Sequence, residues 1–569
     1  MFFISKIKEI FLKYFRRARK KYSALFSYYF LREKILLFIL AGIIILSLGF
    51  LLFKGYLFFT REIPLEGGSY NEGIVGQPKT INPLYSSSNL PDRVLVSLIY
   101  SGLTKISKDG NVVPDLAESW EVQEGGKKIV FKLRKNLKWD DGEQILSNDV
   151  RYTISVIQDP DYEGPLKNLW KNVNIDTPDE FTVIFTLGKP SSFIYNTTLG
   201  ILPEHIWARF EVKDLPYVEQ NFRPVGAGKF KFKEIKSSKD NFIKDVLLER
   251  NENFYAEKPL LDSVIFKFYK NPQEVFDAFT KKEIMGITEV TPDTYSKIKK
   301  WERVRLFSYT LPNYKAVFIN ASKNSLLENV NFRTALELAL DRDKLVNKKL
   351  AGKAIMLDGI YSEGEKVAIY NLDKAKEIVK NLEMTDSSND GFLEKDGKKI
   401  ELKLSVADDE ESGIVSEGIK SDWAKLGVQL IIEKKNILEL ERDIIKPRNF
   451  ELLFFGQNFG YEEDLYPFWH SSQRKDPGLN FTSLESKRID ILLENSKQAK
   501  DKDKKKEINR KINEVLIQEK PAIFLYSSIY NFVTEKKLKG VKKYFLVYPE
   551  HHLIKIEKWY IKSKRIFNF

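Results

Sequence analysis

The apolar residues of this chain recur at three spacings, and each spacing predicts a different element. Ile129, Phe131 and Leu133 alternate with Val130, Lys132 and Arg134, and Phe181, Val183, Phe185 and Leu187 repeat the pattern. A period of two belongs to a strand with one face more buried than the other. Val94, Leu95, Leu98 and Ile99 fall at helical spacing within residues 92–100, as do Phe332, Ala335, Leu336, Ala339 and Leu340 within 331–340. Further helices are expected over 372–382 and up to Leu426, where Gly427 suits a left-handed cap. Strands are expected over 314–320, 400–406, 428–433 and 450–455, the last almost wholly apolar, as in a sheet covered on both faces. Residues 487–520 set Ile489, Leu493, Ile512 and Leu516 at helical spacing among many charges, with the lysine run 500–506 read as a solvated helix end or loop.

The third spacing is no spacing at all. Residues 35–53 run for nineteen positions without a charge, enough to span a bilayer core of about 30 Å at 1.5 Å per residue. Bulky Lys54, Tyr56, Phe58 and Phe59 follow, which fits an anchor better than a cleaved signal peptide with its short apolar core. Leu40-Ala41-Gly42 resembles the start of a lipoprotein box, but Ile43 stands where a modified cysteine would be. The chain has no cysteine, so neither acylation at that site nor a disulfide is open to it.

Between the strands, turn chemistry is explicit. Glu124-Gly125-Gly126 leads into the strand at 129–134, and Trp139 is followed by Asp140-Asp141-Gly142, with a glycine free to take positive φ. Ser147 or Asn148 is placed to cap a helix carrying Val150, Ile154 and Ile157 on one face. No nucleophile, metal cluster or phosphate loop lies in this stretch, so it predicts a scaffold.

The net charge of +13 raises a nucleic-acid reading, and its location answers it. Residues 1–34 hold ten Lys or Arg against two Glu, a balance of +8, so only +5 is left for the other 535 residues. A basic tail before an apolar run is a topology signal, placing 1–34 in the cytoplasm and the remainder outside. No nucleic-acid partner is expected.

Catalysis is not expected either. The four histidines, His205, His470, His551 and His552, have no partner at a metal or triad spacing, and the side chains of adjacent His551 and His552 diverge. There is no Gly-x-Ser-x-Gly elbow, His-Glu-x-x-His or P-loop lysine. The expectation is therefore a binding protein with no catalytic residue, no metal site and no cofactor.

A resemblance narrows the class. Pro114, Leu116, Ala117, Glu118, Ser119 and Trp120, then Phe131, Leu133, Arg134, Trp139, Asp141 and Gly142, then Asp149 and Val150 resemble the signature of the family 5 extracellular solute-binding proteins, the dipeptide, oligopeptide and nickel type. Residues 224–232 resemble the family's Pro-Val-Gly-Thr-Gly-Pro-Tyr motif with Ala227 and Lys229 as departures, read as a hinge passage. Arg250, Asn251, Phe254, Tyr255, Pro259, Leu261 and Asp262, and then Arg333, Ala335, Leu336, Asp341 and Arg342, match two more segments. The likeness covers about residues 66–555.

The resemblance implies an α/β, two-lobed periplasmic-binding-protein-like fold with an extra subdomain, three discontinuous domains in all, preceded by one transmembrane helix. The expected divisions are a basic cytoplasmic tail, 1–34, an anchor, 35–60, and a solute-binding region, 61–569. Within it, lobe I takes about 66–97, 190–315 and 531–560, subdomain II about 98–189, and lobe III about 316–530. Two lobes closing on a ligand would present a shape that a membrane permease recognises, and a separate ATPase would supply the energy. The implied function is a single-pass, extracytoplasmic solute-binding protein of an ABC importer, its partners a peptide or other small solute and the permease. The alternative is a tethered peptide sensor not coupled to transport.

In peptide-binding members an aspartate shortly after a buried strand pairs with the ligand's α-ammonium. Here the corresponding position is Gly460 or Tyr461, depending on the end counted from, and neither is acidic. Glu462, Glu463 and Asp464 are the neighbouring acids, read equally well as a solvated turn. A loop without an ammonium partner implies weak selection for a free N-terminus. The expected ligand contacts are Gln457, Asn458, Phe459, Gly460, Tyr461 and Glu462, joined from the first lobe by Tyr100 and by Asn89 in the loop 86–89.

Overall fold

In the computed structural model the uncharged run becomes one helix, Leu31–Phe59, apolar on every face. The 25 residues Ile35–Phe59 are long and apolar enough to cross a membrane and are not buried against the rest of the chain. At 1.5 Å per residue they reach about 38 Å. The structure describes residues 30–86, 89–188, 193–288, 290–360, 370–461, 464–499 and 501–568, and these divide into two units, one up to Leu65 and from Lys562 onward, the other Glu66–Ile561.

The first unit joins the two ends of the chain. Strand Thr60–Pro64 pairs antiparallel with strand Ser563–Phe567, Thr60 opposite Phe567 and Pro64 opposite Ser563. The last carbonyls of a helix have no partner within it and carry partial negative charge. Here Arg565 meets that need: its Nη2 donates to the carbonyls of Leu57 at 3.0 Å and Thr60 at 2.7 Å, and its Nε to Thr60 Oγ1 at 2.8 Å. The backbone N–H of Asn568 donates to Phe59 O at 2.8 Å.

The second unit is built on a twelve-stranded mixed sheet. Its spine is the fourteen-residue strand Ala522–Glu535. Residues 522–526 of the spine pair with strand Asn313–Ile319, and residues 529–535 pair with strand Val304–Thr310. Beyond Asn313–Ile319 lie, in order, Leu452–Asn458, Glu401–Ala407 and Gln429–Lys435. On the other side of the spine come Gly286–Ile287, Ser69–Val75, Ser263–Tyr269, Ile243–Arg250 and Phe230–Ser237. A separate four-stranded antiparallel sheet runs Ala117–Gln123, Lys128–Leu133, Thr182–Leu187, Val173–Asp179.

Alternation explains why strand Asn313–Ile319 tolerates so few polar residues. Tyr314, Ala316 and Phe318 pack into one buried cluster with Leu453 and Phe524, while Val317 and Ile319 pack into another with Leu404 and Phe454. A strand buried on both faces has little need of polar alternation.

Four expectations change in detail. The helix read from Ser147 or Asn148 begins at Ser147, and Asp149 Oδ2 accepts the N–H of Leu146 at 2.9 Å in place of a serine cap. Ser147 Oγ is committed instead to Asp179 O at 2.7 Å. The stretch 487–520 is two helices, Lys487–Gln498 and Lys502–Glu519, the second capped by Asp501 accepting from Lys504 N–H. The glycines of 224–232 are not a hinge: a Cβ at Gly226 would lie 2.0 Å from Ile99 O and one at Gly228 2.2 Å from Leu98 O. They permit close approach of backbone to helix. The chain passes between the two halves of the large sheet at 311–312 and at 527–528 instead.

Candidate ligand-binding site

A cavity of about 350 Å³ lies within the second unit, walled by segments far apart in sequence. Helix Leu90–Ile99 and its C-cap supply Ser97 and Tyr100, strand Thr104–Ile106 supplies Lys105, and the turn after Pro114 supplies Asp115. Lys229 and Phe254 come from the large sheet's edge region, Tyr461 from the loop beyond strand Leu452–Asn458, and Tyr548, Glu550, His551 and Ile554 from the C-terminal turns.

The wall carries opposed charges, most of them already partnered. Lys105 Nζ donates to Asp115 Oδ1 at 2.9 Å and to the Tyr255 hydroxyl at 3.1 Å, and that hydroxyl donates to Asp115. Lys229 Nζ donates to Ile554 O at 2.7 Å and to Glu557 Oε2 at 2.8 Å, and burial pushes its ammonium below the usual lysine range. Arg93 Nε donates to Glu550 Oε1 at 3.0 Å. Glu550 Oε2 is shut off from water and has no donor among the described residues. An unmet buried acceptor of this kind costs about 1–3 kcal/mol.

Aromatic residues close the space around that carboxylate. Tyr461 stacks on Tyr195 with ring centroids 5.6 Å apart and planes 11° apart, and meets Tyr548 edge-on at 6.5 Å. The Tyr461 hydroxyl donates to His551 Nδ1 at 2.6 Å, and the backbone N–H of Tyr548 donates to the same nitrogen at 3.3 Å. With Nδ1 accepting twice, the imidazole is neutral, and burial lowers its pKa to about 4. Burial also raises the Tyr461 phenol, which therefore keeps its proton to donate.

The adjacent histidine serves the core. His552 Nδ1 donates to Pro549 O at 2.8 Å, its Nε2 lies 3.1 Å from both oxygens of Glu72, and Tyr70 donates to Glu72 Oε2 at 2.6 Å. The two side chains diverge, as adjacency requires, one to the cavity and one beneath it.

Of the residues expected from sequence, Tyr100 and Tyr461 reach the cavity wall. Gln457 does not: its Oε1 accepts from Tyr314 and its Nε2 donates to Leu479 O. Asn458 Nδ2 donates to Val547 O at 3.0 Å and its Oδ1 accepts from Gly460 N–H at 2.8 Å, so it shapes the loop. Gly460, at φ 69°, makes that turn, and Phe459 packs on Tyr314 in the core. Asn89 Nδ2 donates to Gln77 O and Asp92 Oδ1 at the start of helix Leu90–Ile99. Each is drawn away because a better internal partner exists. Glu462 lies outside the described residues. Lys105, Asp115, Lys229, Tyr548 and Glu550 carried no local signal of binding, except that Lys229 stands where the motif has proline.

Comparison with known proteins fits this architecture. Residues 111–477 match the sequence family described as bacterial extracellular solute-binding proteins, family 5 Middle. The chain belongs to that family. This family 5 protein is a solute-binding protein, not an enzyme, and its α/β two-lobed fold is shared with solved relatives. It is 28% identical over 522 residues to the oligopeptide-binding protein AppA of Bacillus subtilis, covering 88% of this chain and 92% of the relative. It is 23% identical over 517 residues to the dipeptide-binding protein of Escherichia coli, covering 84% and 92%. The structure of AppA from Bacillus subtilis in complex with a nonapeptide superposes with a TM-score of 0.72 at 26% identity, covering 88% of this chain and all of that one. NikA from Brucella suis in complex with Fe(III)-EDTA superposes with a TM-score of 0.74 at 20% identity, covering 87% and 100%, a likeness of fold alone.

Proposed function

We propose that this chain is a membrane-anchored receptor that takes a peptide-like solute into the cavity and delivers it to an ABC permease driven by a separate ATPase. The carrying observation is the cavity, where hydrogen-bonding aromatics and both signs of charge converge from both sides of the large sheet. Peptide is favoured over other solutes by the relatives, whose names and bound ligand are peptides. The lobes follow the divisions expected from sequence and close about the two passages at 311–312 and 527–528, so that binding shifts an open form to a closed one.

Anchoring is supported by the way the C-terminus engages the helix end. Were the helix removed as a signal peptide, strand Ser563–Phe567 and the donors of Arg565 would lose partners. The helix is therefore read as retained, with its basic flank in the cytoplasm and the cavity outside.

Full-length protein in micelles, melted with and without members of a peptide library, tests the ligand class. A peptide at a hundred times its Kd stabilises by about 2.7 kcal/mol, and no stabilisation by any member would overturn the reading. Mass spectrometry of the membrane fraction tests the anchor, which is excluded if the mature chain begins after residue 59.

A further inference from the structure

We propose that Glu550 anchors the ammonium group of the ligand. The inference rests on the peptide reading above and supplies what the loop after strand Leu452–Asn458 lacks. Glu550 is 7% exposed and sits on the cavity wall with one oxygen held by Arg93 and the other without a donor among the described residues. Its surroundings suit a cation: Tyr461, Tyr548 and His551 line the same wall, and aromatic faces attract ammonium groups. The neutral His551 adds no competing charge.

The other carboxylate on the wall is a poorer candidate. Asp115 shares the wall with Lys105, whose ammonium is 2.9 Å away and would repel an incoming cation. Arg93, by contrast, holds Glu550 from off the wall. The shielding of the open oxygen gives the site a sequence of events. In the closed form water does not reach Oε2, so the ammonium enters while the Tyr461 loop is withdrawn and is then enclosed when Tyr461 returns to Tyr195 and His551. A buried carboxylate with an unmet oxygen gains most from a charged donor. This reverses the weak selection for a free N-terminus expected from the loop alone.

Calorimetry on the full-length protein in micelles decides it, with trialanine, N-acetyl-trialanine and N-acetyl-Ala-Ala-Lys as ligands. Acetylation of trialanine is expected to weaken wild-type binding by at least about tenfold. Glu550→Gln is expected to bind trialanine about tenfold more weakly and to treat it and its acetylated form alike. N-acetyl-Ala-Ala-Lys matching trialanine would show that a side-chain ammonium serves as well as a terminal one, and N-acetyl-Ala-Ala-Lys matching N-acetyl-trialanine would show that only the terminus does; both support the site. A wild-type acetylation penalty below about twofold, or discrimination retained in Glu550→Gln, overturns the proposal while leaving the peptide reading standing. Should Glu550→Gln not fold, Asp115→Asn carries the test: loss of the acetylation penalty there moves the ammonium to Asp115 and overturns the proposal, and its persistence supports it. Failure of the wild type to bind any of the three, or any peptide of the library, removes the peptide reading and this one together.

Discussion

His551 illustrates how neighbours set a side chain's chemistry. Its Nδ1 receives two hydrogen bonds and burial holds its pKa at about 4 against an ordinary 6.5. Between those values the unfolded chain takes up a proton that the folded chain refuses. Stability at this residue is therefore full above pH 6.5 and falls as pH drops toward 4, by roughly 3 kcal/mol in total. Asp92 and Asp140, raised by burial to about 6, act with the opposite sign over much of the same window. The expected result is thus a difference: denaturant titrations of the wild type lose more stability from pH 6.5 to 4 than those of His551→Asn, whose side chain has no proton to gain. Gly226 gives a second prediction at this scale. A Cβ there meets Ile99 O at 2.0 Å, so Gly226→Ala should cost about 1–3 kcal/mol in the same measurement, whereas a true hinge glycine would show its effect in ligand closure.

At the scale of elements, the telling pair is the helix Leu31–Phe59 and the strand that follows its end. One guanidinium, Arg565, satisfies two backbone carbonyls and a hydroxyl at the junction, and the strand pairing ties residue 60 to residue 567 across the whole length of the chain. Arg565→Ala, or deletion of residues 563–569, should raise proteolytic cutting between residues 60 and 66 by about an order of magnitude, since local opening controls cleavage. The melting of the Glu66–Ile561 unit should stay put. Equal cutting in both proteins would show that the ribbon does not protect this junction.

For the molecule as a whole, contacts across the cavity set the energetics of closing. Tyr461 reaches Tyr195 and His551, and Asn458 reaches Val547 O, so Tyr461→Ala removes a stacked ring and a hydrogen bond at once. Peptide affinity in that variant should fall by about ten- to a hundredfold, through faster release, as read by stopped-flow dissociation. Scattering should show a smaller radius of gyration for loaded than for empty wild type; identical dimensions would remove the closing motion from the proposed function.

Read by itself, the sequence determined what repetition and local chemistry can determine. The alternating strands at 128–133 and 182–187, the helices at 90–99 and 410–426, the Gly427 cap and the uncharged span all form where periodicity and turn residues place them, because each depends on neighbours a few positions away. The signature from Pro114 to Val150 also carried the family. The cavity was decided by tertiary structure. Gln457 and Phe459 look like ligand contacts until the fold brings Tyr314 and Leu479 to them, and Glu550 looks like any surface glutamate until Arg93, 457 positions away, takes one of its oxygens. A side chain's availability depends on which partners the fold delivers, and those partners come from anywhere in the chain.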